Sequence, residues 1–256
     1  TKNSANSCPP GRAFAAAGAV PETAIFHNLS AADVDASVEH FARAIAAAQI
    51  LVIPGGFSAG DEPDGSGKFI TAVFRNPRIA AAVQELLDKR HGLILGICNG
   101  FQALIKLGLV PYGRIMPPDA EAPTLTFNTI GRHISRQVRT VVASTLSPWL
   151  AACRPGEIHT IPVSHGEGRF LASPASLEAL AAAGQIATRY VDREGVPAMD
   201  PEHNPNGSAW AVEGITSPDG RVFGKMAHSE RRGPYIGKNI PGNKDQGLFR
   251  SGVAWF

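Results

Sequence analysis

The chain has 256 residues, 24 Lys and Arg against 22 Asp and Glu, and 44% hydrophobic residues. That length supports a substantial core without disulfides, and a formal charge of +2 with no basic run excludes a nucleic-acid footprint. Cys8, Cys98 and Cys153 are too few for a disulfide framework, and no apolar run approaches the roughly 20 residues that cross a bilayer, so a cytoplasmic protein without a membrane partner is expected.

Residues 1–11 are polar and proline-bearing, unlike a secretory signal, and read as a poorly ordered or altered segment ahead of a single domain over residues 12–256. Residues 12–18 suggest a short helix. The apolar strand that normally opens a doubly wound sheet is missing or altered before it. Residues 20–26 read as a strand. Ser30, with Asp33 three positions on, caps a helix whose stripe is Val34, Val38, Phe41 and Ile45. Residues 50–53 form a β-branched run closed by Pro54-Gly55-Gly56, the pattern of a buried parallel strand opening into a glycine loop. One helix is expected up to about residue 88, then a strand over 91–97 and a helix over 101–107. Beyond Pro117 the rhythm changes. Strands are expected over 125–130, 137–142, 157–163, 185–190, 209–215 and 221–226, and helices over 177–183 and at the carboxyl end. Ser217-Pro218-Asp219-Gly220 is a turn.

Two motifs have the spacing of a nucleophile elbow, Gly56-Phe57-Ser58-Ala59-Gly60 and Gly96-Ile97-Cys98-Asn99-Gly100. Context favours the second. Cys98 stands between an apolar strand and a helix carrying Phe101, Leu104 and Leu107, whereas Ser58 runs into Asp61-Glu62-Pro63-Asp64-Gly65, which supplies no helix. Amides at a helix N-terminus favour a thiolate, so an activated Cys98 is expected. A cysteine nucleophile needs a base and a group that orients the base. His228 follows a strand, and Glu230 two residues later can fix its tautomer. An oxyanion hole needs two converging N–H groups, for which Asn99 and either Gly55 or Gly56 are candidates. Gly65-Ser66-Gly67-Lys68 lacks the earlier glycine and the hydroxyl residue of a phosphate loop, and Asp61, Glu62 and Asp64 read as a solvent-facing loop. His159 and His165 have no third ligand in the sequence, so no metal site is expected.

Pro54-Gly55-Gly56-Phe57-Ser58, Leu95-Gly96-Ile97-Cys98-Asn99-Gly100-Phe101-Gln102, Ser164-His165-Gly166-Glu167-Gly168-Arg169 and Asn204-Pro205-Asn206-Gly207-Ser208 occur in this order. With them the chain resembles the class I glutamine amidotransferase domain of phosphoribosylformylglycinamidine synthase, from about Arg12 to Phe256. The resemblance implies a flavodoxin-like α/β fold, with a mostly parallel sheet and helices on both faces. It also implies that Cys98 attacks the side-chain amide of L-glutamine, with His228 as base and Glu230 as its orienting acid. Gly55, Gly56, Phe57, Asn99 and Gln102 would hold the oxyanion and the glutamine. His165, Glu167, Arg169, Asn204, Asn206 and Ser208 would support the pocket or contact another domain.

The implied partner is a formylglycinamide ribonucleotide synthetase domain, fused or separate, with the loop over 61–68 closer to long fused forms. ATP and Mg would belong to that partner, and no cofactor to this chain. Ala227-His228-Ser229-Glu230 departs from the prolines usual in the family, which implies a less rigid backbone there. A cysteine hydrolase acting on another amide or ester, and a regulatory or assembly domain, are the competing readings.

Overall fold

The computed structural model describes residues 9–56, 66–117, 119–233 and 235–256. Phe57, the Ser58 motif, the acidic residues 61–64 and Cys8 lie outside them. The amino-terminal half alternates helix and strand. It runs α1 (Pro9–Ala16), α2 (Ala31–Ala47), β1 (Ile50–Ile53), α3 (Lys68–Phe74), α4 (Pro77–Asp88), β2 (Leu93–Ile97), α5 (Asn99–Leu107) and the short α6 (Leu109–Tyr112). The remainder is β3 (Thr124–Thr126), β4 (Ile134–Val142), β5 (Ile158–His165), β6 (Arg169–Leu171), α7 (Pro174–Ala182), β7 (Ile186–Tyr190), β8 (Val212–Thr216), β9 (Val222–Lys225) and α8 (Leu248–Ala254).

Local chemistry accounts for several of these boundaries. Ser30 caps α2 by accepting from the Asp33 amide at 3.1 Å. The single helix expected up to residue 88 is instead two. Asn76 accepts from the Arg78 amide at 3.0 Å and Pro77 occupies the first turn, so the chain restarts there as α4. Residues 209–211 form a 3-10 turn ahead of β8 rather than its first residues.

Residues 20–26 form no strand. Val20 is 98% and Ile25 60% exposed, while Phe26 packs edge-to-face on Phe41 and Phe69. His27 is fastened to Ser37 of α2 through its amide, at 2.9 Å, and its carbonyl, at 3.2 Å. No described strand pairs with the outer edge of β1, and the segment packs on α2 instead of joining that edge.

The α/β class holds, with one correction to the sheet. Among the described residues the large sheet has the order β1-β2-β9-β8-β7-β4-β5, and β3 pairs with β6 separately. Parallel pairing is confined to β1, β2 and β9, and the other contacts in the large sheet are antiparallel. Connection length explains part of this. β8 returns as β9 through the Ser217–Gly220 turn, which is too short for the crossover that parallel strands need. Every residue of β2 is buried, as expected for a strand covered on both faces.

The far end of the sheet comes back to the parallel end. β5 stands last in strand order, yet its Pro162 carbonyl accepts from the His228 amide just after β9, at 2.8 Å. The sheet must therefore curl, in keeping with the accumulated twist of neighbouring strands. As a result, the carboxyl ends of β1, β2, β9 and β5 share one edge.

Helix α5 lies unusually close to that sheet. A Cβ on Gly100 would fall inside contact distance of the Ile53 carbonyl, and one on Gly224 would overlap the Phe101 ring. Gly100→Ala is therefore expected to destabilise the fold by about 1–3 kcal/mol, measured as a lower denaturant midpoint with an unchanged slope.

Candidate active site

Cys98 caps α5 with φ 53° and ψ −107°, a backbone region that non-glycine residues rarely enter. The flanking glycines serve closeness rather than this turn. A Cβ on Gly96 would overlap Leu104 and the Gly100 backbone, so the strain sits on the nucleophile itself. Cys98 lines a cavity with Gly56, Ser66, Gln102, Ser164, His165, Gly166, His228 and Arg231. Its Sγ lies 3.5 Å from the Ser164 carbonyl. Gly55 closes over the pair, since a Cβ there would overlap His228 and crowd the Cys98 Cβ.

His228 Nδ1 lies 2.6 Å from Glu230 Oε1, and both side chains are buried. With Nδ1–H donating to the carboxylate, the lone pair stands on Nε2, which has no hydrogen-bond partner among the described residues. That nitrogen is free to take a proton in the cavity Cys98 lines.

The expectation of an activated thiolate does not hold. Burial pushes the Cys98 thiol up to about 12, and it outweighs the Asn99 amide and the Arg231 charge, which both act to lower it. In the free chain the residue is a thiol at neutral pH, and its proton must leave during attack.

Gln102 donates Nε2–H to the Glu167 carbonyl, leaving Oε1 buried without a partner among the described residues. Glu167 accepts the Ser66 amide on Oε2 at 3.1 Å, which fixes the start of α3 beside the cavity. His165 lines the wall. Its Nδ1 meets Asn128 Oδ1 at 3.2 Å, and its pKa falls to about 3, chiefly through burial. The ring is therefore neutral.

Arg169, Asn204, Asn206 and Ser208 stand behind the wall. Asn206 donates to the Gly168 carbonyl at 2.6 Å, Ser208 Oγ accepts the Phe170 amide at 3.0 Å, and Asn204 donates to the Ser208 carbonyl at 2.8 Å. Arg169 Nε reaches the Gly207 carbonyl at 3.3 Å. The Asn204 bond closes the 204–208 segment on itself, and the other three join it to residues 168–170.

Sequence reasoning passed over three contributors. Asn128 holds the turn after β5, donating to the carbonyls of His165 and Arg132 and accepting the Gly168 amide. Arg231 places a cation on the cavity. Lys225 is wholly buried, 3.8 Å from Glu213 Oε1, and donates to Ser229 Oγ and Gln246 Oε1, each at 2.6 Å. Glu213 in turn accepts the Ala227 amide at 2.7 Å. The segment expected to be less rigid for want of prolines is thus braced on both sides of His228. Lys225, which bonds Ser229 4 residues on, carries no periodic signal in the sequence; burial alone identifies it.

The family model described as a CobB/CobQ-like glutamine amidotransferase domain matches residues 10–256. The chain is 40% identical to phosphoribosylformylglycinamidine synthase subunit PurQ of Symbiobacterium thermophilum, over 76% of this chain and 74% of that protein. It is 35% identical to the PurQ subunit of Gloeobacter violaceus, over 80% and 79% respectively. A solved structure of PurLQS from Thermotoga maritima superposes with a TM-score of 0.59 at 28% identity, over 81% of this chain and 79% of that one.

Two outcomes follow from the buried charges. Lys225→Met leaves Glu213 without its counter-charge and is expected to cost about 3–5 kcal/mol. Adding Glu213→Gln should recover more than about 1 kcal/mol in a double-mutant cycle read by urea unfolding. His165 keeps its proton off until about pH 3, while the unfolded chain takes one up near 6.5, so stability is lost as pH falls between those values. Between pH 7 and pH 5 the wild type should lose about 2 kcal/mol more than His165→Gln.

Proposed function

The chain belongs to the CobB/CobQ-like glutamine amidotransferase domain family, and on that premise we propose that residues 12–256 act as one glutaminase domain with Cys98 as nucleophile. The observation that carries the reading is the buried His228–Glu230 pair, whose open Nε2 shares a cavity with a thiol held at a strained helix start.

The enzyme is a glutamine amidotransferase that hydrolyses the side-chain amide of L-glutamine. Cys98 Sγ attacks the amide carbon while His228 Nε2 takes the thiol proton. Because the resting group is a thiol, proton removal and attack are coupled, and a well-oriented base is indispensable. Glu230 holds the imidazole in the required tautomer and stabilises the imidazolium. The oxyanion that forms is met by the Asn99 amide at the α5 N-terminus and by the Gly55–Gly56 backbone. His228 then gives its proton to the departing nitrogen, releasing ammonia and leaving a γ-glutamyl thioester on Cys98. Water, deprotonated by the same imidazole, cleaves the thioester to glutamate and restores the thiol. Gln102 Oε1 accepts an N–H of the substrate, and Arg231 supplies positive charge for its carboxylate.

The ammonia serves the synthetase that converts formylglycinamide ribonucleotide to formylglycinamidine ribonucleotide in purine biosynthesis, a reading supported by the PurQ relatives. We assign ATP and Mg to that partner, fused or separate, and the cytoplasm as the compartment. Among the described residues no helix is long and apolar enough to cross a membrane.

A glutamine-shaped electrophile is expected to label Cys98 alone, as mapped by peptide mass spectrometry, and excess glutamine to block the adduct. Labelling that glutamine leaves untouched would sink the assignment of the pocket. With the synthetase present, Glu230→Gln should slow glutamate formation by about 10²–10⁴-fold, with Cys98 still open to the electrophile.

A further inference from the structure

A second cysteine–histidine–carboxylate cluster lies apart from the residues lining the catalytic cavity. Cys153 follows the 3-10 turn Pro148–Leu150, Glu157 precedes β5, and His159 is its second residue. One ligand atom from each lies within 4.8 Å of the other two. His159 is 0% exposed, and neither of its ring nitrogens has a hydrogen-bond partner among the described residues. Glu157 Oε1 lies 3.1 Å from Nε2 but off the direction a ring N–H would take. A buried imidazole without a hydrogen-bond partner, a carboxylate and a thiol thus converge, an arrangement a shared cation resolves.

We propose that Cys153, Glu157 and His159 form a binding site for a zinc-type divalent ion. The donor set decides the ion class. A thiolate and an imidazole favour Zn²⁺ and Co²⁺ over Mg²⁺ and Ca²⁺, which require oxygen ligands. Zinc bonds of about 2.0–2.3 Å at tetrahedral angles place neighbouring ligand atoms about 3.3–3.7 Å apart, so the cluster needs only a small closure. Charge also balances, since the thiolate and the carboxylate neutralise the ion.

The charges outside the cluster that act on Cys153 are those of Lys225, Asp245 and Arg250. Lys225 is paired with Glu213, and Asp245 with Arg232 and Arg250. In the metal-free protein the Cys153 thiol, raised to about 11 chiefly by burial, donates to the Gln246 carbonyl at 2.9 Å. Binding breaks that S–H bond, forms a sulfur–metal bond and releases one proton to solvent. Three protein ligands leave a fourth position for water, as in open rather than closed zinc sites. Glu157, 34% exposed, provides the route in.

The test is titration of the metal-free full chain with Co²⁺ alone, reading the near-ultraviolet thiolate-to-cobalt band. One equivalent should bind, with release of one proton. Cys98→Ser, which removes the proposed nucleophile, should bind equally well, so the result does not depend on the glutaminase assignment. Cys153→Ser should lose the band, and His159→Gln should weaken binding by more than about 100-fold, beyond what loss of a supporting contact does. Circular dichroism and melting without metal establish that each variant is folded, and added Zn²⁺ should raise Tm only where Cys153 and His159 are both present. A band that survives Cys153→Ser, or no band in folded wild type, overturns the proposal.

Discussion

The close seating of α5 on the three parallel strands is the constraint from which the site follows. Gly100 lies against the Ile53 carbonyl, Gly96 against Leu104, and Gly224 against the Phe101 ring, each at a separation that excludes a Cβ. With the helix drawn this far into the sheet, the chain leaving β2 must reverse within one residue. Cys98 takes that reversal at positive φ, a cost on the order of 1–3 kcal/mol, borne by packing on nearly every side of α5. Gly55 extends the same logic across the cavity, where only a glycine leaves room for the His228 ring.

Burial then sets the electrostatics. It holds Cys98 as a thiol and His165 as a neutral ring, and it leaves Nε2 of His228 as the cavity's proton acceptor. Helix N-terminal amides are worth too little to reverse the desolvation of a thiolate here. The geometry of the base therefore carries more of the chemistry than the acidity of the nucleophile. That geometry rests on Glu230 within the pair and on the Lys225–Ser229–Gln246 and Glu213–Ala227 contacts behind it. A buried ion pair of this kind is expensive to keep, and its position beside the catalytic segment gives it a purpose that stability alone does not.

Much of the architecture was legible because its signals are local. The Ser30 cap, the β-branched run at residues 50–53, and the apolar strand and helix on either side of Cys98 each express a preference that a short window contains. The misreadings share a physical cause. Residues 20–26 have strand composition, but Phe26 and His27 are held against Phe41, Phe69 and Ser37, contacts that no short window of sequence reveals. Pairing direction beyond β9 depends on connections and curl rather than on composition. Asn128, Arg231 and Lys225 act on partners brought near by the tertiary fold, and polar side chains of this kind leave no periodicity behind them.

By itself the sequence determined the elements that carry the chemistry, namely a small-residue elbow around Cys98 at a strand–helix junction, and a His–Glu pair two residues apart after a strand. Bond geometry and side-chain volume act over a few residues, so these could be read without the fold. Only the tertiary structure decided that the two meet, because β9 pairs beside β2 and β5 curls back to bond the His228 amide. It alone also decided that the thiol is protonated, and that Cys153, Glu157 and His159 converge. Desolvation and convergence depend on everything that surrounds a group, and no stretch of sequence contains its own surroundings.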